Sequence, residues 1–338
     1  MKALIIRNPG EIGVGEHSEP TPQPGEVLLR VRMVGLCGSD LNTFRGKNPM
    51  VSFPRIPGHE IGATVEKVLD PASALKPGMN VTLSPYTSCG HCPSCLRSRF
   101  NACQSNQTLG VQRDGCLTDL ISVPASKIFP AEGLGLEELC IVEPLTVGYH
   151  SVSRGRVTAK DTVAIIGCGG VGLGAVAASA FRNARTIAVD VDDAKLKIAR
   201  EAGATDTINS KTESLHEKLQ ALTGGHGPDV IIEAIGLPAT YTAAVEEVAF
   251  TGRVVYIGYA KDLVSYETRL FVQKELDILG SRNALPEDFA GVIRLLQEHR
   301  FPVKSAITSV VSFEEGPDAF RTWSANPAAV SKIMVRVN

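Results

Sequence analysis

Four cysteines stand in the spacing C-x2-C-x2-C-x7-C at Cys89, Cys92, Cys95 and Cys103. Thiolates so spaced can surround one Zn²⁺ tetrahedrally and leave no position open, which reads as a structural site. In a reducing compartment such crowding points to metal rather than to disulfides. His91, inside the loop, reads as a solvent-facing turn residue. A second set is dispersed: Cys37 in Gly35-Leu36-Cys37-Gly38-Ser39-Asp40, the pair His59-Glu60 after Pro57-Gly58, and Glu143 before Pro144. One thiolate, one imidazole and one or two carboxylates make a borderline-soft set that suits Zn²⁺ and can leave a position for water or substrate. Spacing alone does not join these residues.

A third signal is Gly167-Cys168-Gly169-Gly170-Val171-Gly172, which follows the apolar run Thr162-Val163-Ala164-Ile165-Ile166 and opens a helical stretch, while Asp190 ends the next apolar run. That context is a dinucleotide fingerprint. Gly167 permits a tight turn, Gly169 lets a pyrophosphate approach the backbone, and Gly172 lets the helix pack on the strand. The helix start, Gly170 and Val171, would stabilise the phosphate charge. Asp190 would meet the adenosine ribose and, with Asp192, repel a 2'-phosphate, so NAD is expected over NADP. Helix capping competes with cofactor contact as the role of Asp192 and Asp193.

The elements that hold these residues follow from composition and patterning. The 338 residues are 43% hydrophobic, with 34 Lys+Arg against 36 Asp+Glu and a net charge of -2. Such a length suggests two domains. The balanced charge offers no basic stripe for nucleic acid or an anionic membrane, and no apolar run nears the ~18–20 residues of a bilayer span. Charge returns too soon after Met1 for a signal peptide, so the cytoplasm is expected. The first third alternates short apolar runs with Gly and Pro turns, the texture of a β-rich domain. From about Val147 strands and helices alternate as in a doubly wound parallel sheet. The expected fold is therefore α/β, with residues 147–284 as a Rossmann domain and 1–146 with 285–338 as the other, the helix Pro286–His299 included in the latter. Cys116, Cys140 and Cys168 read as small buried hydrophobes.

In this order, Cys37-Gly38-Ser39-Asp40, Gly58-His59-Glu60, the four-cysteine loop, Glu143-Pro144 and the glycine turn resemble the zinc-dependent medium-chain dehydrogenases over essentially the whole chain. Glu143, where other alcohol dehydrogenases carry Cys, is similar to the sorbitol and polyol branch. Leu279-Gly280-Ser281-Arg282-Asn283-Ala284 resembles sugar-acid dehydrogenases acting on L-galactonate or L-idonate. The resemblance implies a GroES-like catalytic domain beside the Rossmann domain, an active site in the cleft between them, two Zn²⁺ per chain and NAD. It also implies a homotetramer or homodimer built through the nucleotide-domain sheets.

By the same resemblance Cys37, His59 and Glu143 are ligands, with Glu60 a close or intermittent fourth that would turn the cluster anionic and weaken its Lewis acidity. Ser39 would accept the alcohol proton and relay it, although Asn42 stands where the family often has a relay His. Asp40 would accept a hydrogen bond from the free nitrogen of His59. Arg282 and Asn283 would border nicotinamide and substrate, and Arg282 or Arg113 would anchor a substrate carboxylate. A solvated surface position is the rival account of Arg113. Lys195 joins the cofactor site, and Lys332 would lie near the pyrophosphate. The implied reaction is oxidation of a secondary alcohol on a sugar acid or polyol. Rivals are an amino alcohol, as in threonine dehydrogenases, a reductase using NADP, and an NAD-binding protein without chemistry.

Overall fold

The structure, a computed structural model, describes residues 1–337. The chain opens with β1 (Lys2–Asn8), β2 (Glu11–Glu16), β3 (Glu26–Gly35), α1 (Gly38–Phe44), β4 (Glu60–Val68), β5 (Asn80–Leu83), β6 (Leu120–Pro124), β7 (Ile128–Pro130) and α2 (Leu136–Arg154). Next come β8 (Thr162–Ile166), α3 (Gly170–Phe181), β9 (Arg185–Asp190), α4 (Asp193–Glu201), β10 (Asp206–Asn209), α5 (Leu215–Leu222) and β11 (Val230–Glu233). Then follow α6 (Pro238–Glu247), β12 (Arg253–Tyr256), α7 (Arg269–Gln273), β13 (Asp277–Gly280) and α8 (Pro286–Gln297). The chain closes with α9 (Val303–Ala306), β14 (Ser309–Ser312), α10 (Gly316–Ala325) and β15 (Ile333–Arg336). One unit is Met1–Glu143 with the chain from Val303 onward; the other is Pro144–Pro302.

In the first unit the strands run β14-β15-β3-β4-β5-β7, with β6 also on β3. Along β3, Val27, Leu29, Val31 and Met33 point inward while the residues between them are only half-buried, the period of two that a sheet with one packed face requires. Leu29 and its neighbours Leu4, Ile61, Leu83, Leu117 and Phe320 are withdrawn from water, each worth about 1.5–3 kcal/mol of burial. The register places Gly35 opposite both Glu60 and Met334. Three strand ends therefore converge: the exit of β3 toward Cys37, the entry of β4 at His59-Glu60, and the entry of β15 just after Lys332. Gly35 is the residue that allows it, since a Cβ there would lie 2.4 Å from Glu60 Oε2.

The second unit holds six strands in the order β10-β9-β8-β11-β12-β13, all parallel. This is the 3-2-1-4-5-6 winding whose strand order reverses between the first and fourth strands, where nucleotides bind at the carboxyl ends. β8 and β11 are almost wholly buried, as strands covered by helices on both faces must be. The expected α/β architecture is what the chain adopts.

The residues around Glu143 lie in the middle of α2, a 19-residue helix with Pro144 inside it. Proline removes one helical hydrogen bond and costs ~3 kcal/mol in a helix interior, so it reads as a breaker. Burial of Leu139, Cys140, Ile141, Val142 and Leu145 outweighs that cost. The expected boundary is corrected: the chain returns to the first unit at Val303, not at 285, and leaves it after Glu143, not after 146. Helix α8 stays with the parallel sheet because Asp288 accepts from His150 Nδ1 at 2.7 Å and Gly291 packs against the ring of Tyr149.

Candidate active site

The four sulfurs of Cys89, Cys92, Cys95 and Cys103 lie within 4.8 Å of one another, and none is in a disulfide. Cys92 Sγ and Cys103 Sγ are 3.9 Å apart, close to the about 3.8 Å edge of a tetrahedron built on Zn–S bonds of ~2.3 Å. The Ser94 hydroxyl, 3.2 Å from Cys92 Sγ, and nearby backbone N–H groups bring the Cys92 thiol down to about 5. Burial pushes Cys95 up to about 11. His91 is exposed, as a turn residue should be.

Cys37 is the N-cap residue of α1, and the turn that follows is held by Asp40. Its Oδ2 accepts from the Cys37 N–H at 2.9 Å and its Oδ1 from the Gly58 N–H at 3.0 Å. One fully buried carboxylate therefore ties the Cys37 loop to the His59 loop. The hydrogen bond expected from His59 to Asp40 is absent: Nδ1 stands 3.9 Å from Asp40 Oδ1, beyond hydrogen-bond reach. Asp40 acts on the site through the backbone instead.

Donor atoms of Cys37, His59 and Glu60 lie within 4.8 Å of one another. His59 Nδ1 and Ser39 Oγ are buried without a hydrogen-bond partner, a state that costs about 1–3 kcal/mol per atom. Burial opposes a positive charge on His59, yet Cys37 and Asp40 outweigh it and hold the imidazole well above its ordinary value. Ligand atoms of Cys37, His59 and Glu60 gathered within 4.8 Å, with a thiol, an imidazole and a carboxylate able to offer lone pairs, fit zinc.

Glu143 does not join that trio. Its buried Oε1 accepts instead from the hydroxyl of Tyr86, itself buried. Burial first, and then the Glu143 charge, hold the phenol well above its ordinary value, so it stays a donor. Tyr86 escaped sequence reasoning because nothing in Ser84-Pro85-Tyr86-Thr87 has the form of a motif.

Lys332 is the second surprise. Its ammonium is buried, 2.7 and 2.5 Å from the two oxygens of Glu60 and 3.2 Å from the Leu36 carbonyl. Burial alone would lower its pKa, but Glu60 and Cys37 raise it. The expected pyrophosphate role is corrected, because the amine is committed inside the first unit. Lys332 faces both oxygens of Glu60, so its ammonium offsets that carboxylate's charge within the Cys37, His59 and Glu60 cluster.

In the second unit the glycine turn leaves β8 with Gly167 at φ 101°, a conformation that side chains resist. Gly169 caps α3, and a Cβ there would meet nothing within 4 Å, open space of the kind a pyrophosphate needs. Asp190 Oδ2 accepts from the Cys168 N–H at 2.7 Å, and Oδ1 from the N–H groups of Val191 and Asp192 at 2.8 and 3.1 Å. The acid therefore braces the turn. Asp192 caps α4, while Asp193, its first residue, accepts from Asn209 Nδ2 at 2.7 Å instead of capping. Lys195 on α4 acts electrostatically on Cys168 in the turn. A Cβ on Gly172 would sit 1.8 Å from the Gly167 carbonyl oxygen. Gly172→Ala is accordingly expected to destabilise by about 3 kcal/mol or more and to abolish saturable NADH binding, read by thermal melting and by nucleotide fluorescence.

The other residues fall elsewhere. Arg282 is exposed just after β13, and Asn283 follows at φ 52°. Arg113 is half-buried, and burial lowers the pKa of its guanidinium. The segment that carries it, Gly110 to Leu117, packs on the backbone of Pro57 and Gly58, next to His59.

Residues 170–298 match the family described as zinc-binding dehydrogenase, and residues 23–133 match the alcohol dehydrogenase GroES-like domain. The L-galactonate-5-dehydrogenase of Escherichia coli K12 is 31% identical over 308 residues, 91% of each chain. The sorbitol dehydrogenase of Bacillus subtilis 168 is 31% identical over 100% of this chain and 98% of its own. A solved structure of an alcohol dehydrogenase (rspB) of Escherichia coli CFT073, in complex with NADH, superposes with a TM-score of 0.92 at 29% identity, covering 100% of this chain and 99% of that one. The chain belongs to the zinc-dependent medium-chain dehydrogenases, in the branch that holds the polyol and sugar-acid enzymes.

Proposed function

We propose that this protein oxidises a secondary alcohol of a sugar acid or polyol, transferring a hydride to NAD. The observation that carries the reading is the cluster of half-buried Cys37 with buried His59 and Glu60, Lys332 cancelling one carboxylate. Cys37, His59 and Glu143 would hold one zinc, with Glu60 close by, and the four-cysteine loop a second. Zinc bound at the first site supplies Lewis acidity that lowers the pKa of a substrate hydroxyl. Around it, Ser39, whose hydroxyl is both donor and acceptor, takes the alcohol proton and passes it on. Asn42 does not titrate, so the proton leaves by water or another group. Asp40 keeps the Cys37 and His59 loops in register.

Gly169 and the start of α3 receive the pyrophosphate, and Lys195 adds positive charge beside the turn. Asp190 has lone pairs left for the ribose hydroxyls and repels a 2'-phosphate, which favours NAD. Arg282 offers a fork that matches a carboxylate, the feature that favours an aldonate over a neutral polyol. Asn283 would lie beside it.

The partner is a second copy of the chain. β13 is the last strand of its sheet, with Ile278 exposed, and an unpaired edge is a template for pairing. Among the described residues no helix is long and apolar enough to cross a membrane, and the free thiols of the loop favour a reducing compartment, the cytoplasm.

The test is NADH formation by the purified protein with L-galactonate and related aldonates, sorbitol and L-threonine, alongside metal analysis. Turnover on an aldonate or polyol with two zinc per chain is the expected result. Turnover on L-threonine alone would move the assignment to amino alcohols, and no turnover with a single zinc would leave an NAD-binding protein.

A further inference from the structure

We propose that Glu233 is a positioning residue for the dinucleotide: its buried carboxylate fixes the turn 234–237, so that the crevice between β8 and β11 has its shape before NAD arrives. The inference rests on the NAD reading and extends it to a side chain outside the glycine turn and its acid. Its basis is the set of hydrogen bonds that end on Glu233 and the contact of Ile235 with Gly167.

Glu233 ends β11 and is wholly buried. Its Oε1 accepts from the N–H groups of Ile235 and Gly236 at 2.9 and 2.8 Å and from the Thr240 hydroxyl at 2.7 Å. Charged acceptors make the stronger hydrogen bonds, so one oxygen ties the strand end, the turn and the start of α6 together. Oε2 lies beside Gly258 and has no hydrogen-bond partner. A buried carboxylate oxygen without a donor costs stability, and such costs persist where position matters more than stability. The neighbouring turn is held from the same segment. The N–H groups of Ile257 and Gly258 donate to the Glu233 carbonyl at 2.9 and 3.2 Å, and the Tyr241 hydroxyl donates to the Gly258 carbonyl. Only glycine fits at 258, where a Cβ would lie 2.3 Å from the Gly236 nitrogen and 2.7 Å from Glu233 Oε2. On the other side a Cβ on Gly167 would lie 2.5 Å from Ile235 Cγ1, so the turn rests on the glycine fingerprint itself. Parallel sheets of this winding bind nucleotides where the strand order reverses, here at the carboxyl ends of β8 and β11. A turn already fixed there spares the ligand the cost of ordering it.

The experiment measures NADH affinity by fluorescence titration in wild type, Glu233→Gln and Glu233→Ala, with amide hydrogen exchange on the same proteins without nucleotide. Glutamine keeps the shape and one carbonyl acceptor but not the charge; alanine leaves both N–H groups without an acceptor. The expected result is a dissociation constant raised about threefold in Glu233→Gln and about tenfold or more in Glu233→Ala, as a turn correctly placed only part of the time produces. Exchange at the Ile235 and Gly236 amides should quicken in the same order and slow again when NADH saturates the site. In turnover, KM for NAD should rise while kcat at saturating NAD holds, a split that a general loss of stability does not give.

Unchanged NADH affinity in Glu233→Ala would overturn the proposal, as would a weakening that sets in only near the melting temperature of each variant, which marks a purely structural role. If Glu233→Ala does not fold, Glu233→Gln decides alone, and wild-type affinity there overturns it. If the wild-type protein itself does not bind NADH saturably, the NAD reading fails as well, and the two failures are told apart.

Discussion

Cys37→Ser is expected to remove one of two zinc ions per chain and to lower kcat/KM by about 10³-fold or more. The estimate follows from the several kcal/mol that a bound metal contributes to stabilising developing charge, at ~1.4 kcal/mol per factor of ten. Serine is a poor zinc ligand because its hydroxyl stays protonated where a thiol ionises, so the loss is of charge as well as of a donor. The fold should survive: Asp40 also accepts from the Cys37 backbone N–H, which the substitution leaves in place. Cys95→Ser is the matched control. It should remove the other zinc and lower the melting temperature while leaving NADH binding intact, because the glycine turn belongs to the other unit. Metal analysis with steady-state kinetics on both variants checks the pair. Retention of both ions in Cys37→Ser would dismiss the assigned site.

Lys332→Met is expected to be the most destabilising single change near the site. It removes the cation that faces both oxygens of Glu60 in a site closed to water. Breaking one side of a buried ion pair costs about 3–5 kcal/mol, because the surviving charge stays desolvated. For the unit concerned this is a fall in melting temperature on the order of 10 °C. The double change Lys332→Met with Glu60→Gln should recover most of the loss, since a neutral amide needs no counter-charge. Activity should respond differently. The lone Lys332→Met variant leaves Glu60 as an uncompensated anion beside Cys37, which weakens Lewis acidity at the metal, so kcat falls even at temperatures where the protein is folded. Equal melting temperatures for wild type and Lys332→Met would refute the electrostatic account.

Chemistry written in contiguous residues was legible before any fold was known. Cys89, Cys92, Cys95 and Cys103 announce a closed tetrahedral loop, and the glycine turn followed by Asp190 announces a dinucleotide site, because each is local: a short stretch of backbone brings its own groups together. The alternation along β3 and the buried runs of β8 and β11 were legible for the same reason, since burial has a period of two in a half-covered strand and none in a fully covered one.

What the tertiary structure alone decided lies where distant segments meet. Glu143 sits in a helix that Pro144 disguises, because packing of its apolar neighbours overrides a local rule. Tyr86 matters only through the carboxylate it touches, and Lys332 reads as a surface cation until the register of β15 on β3 sets it against Glu60. The charge balance of the site, and with it the electrophilicity a metal could have there, comes from three strand ends converging at Gly35. No local pattern encodes that convergence; it is a consequence of sheet pairing that brings Glu60 and, from the far end of the chain, Met334 to Gly35.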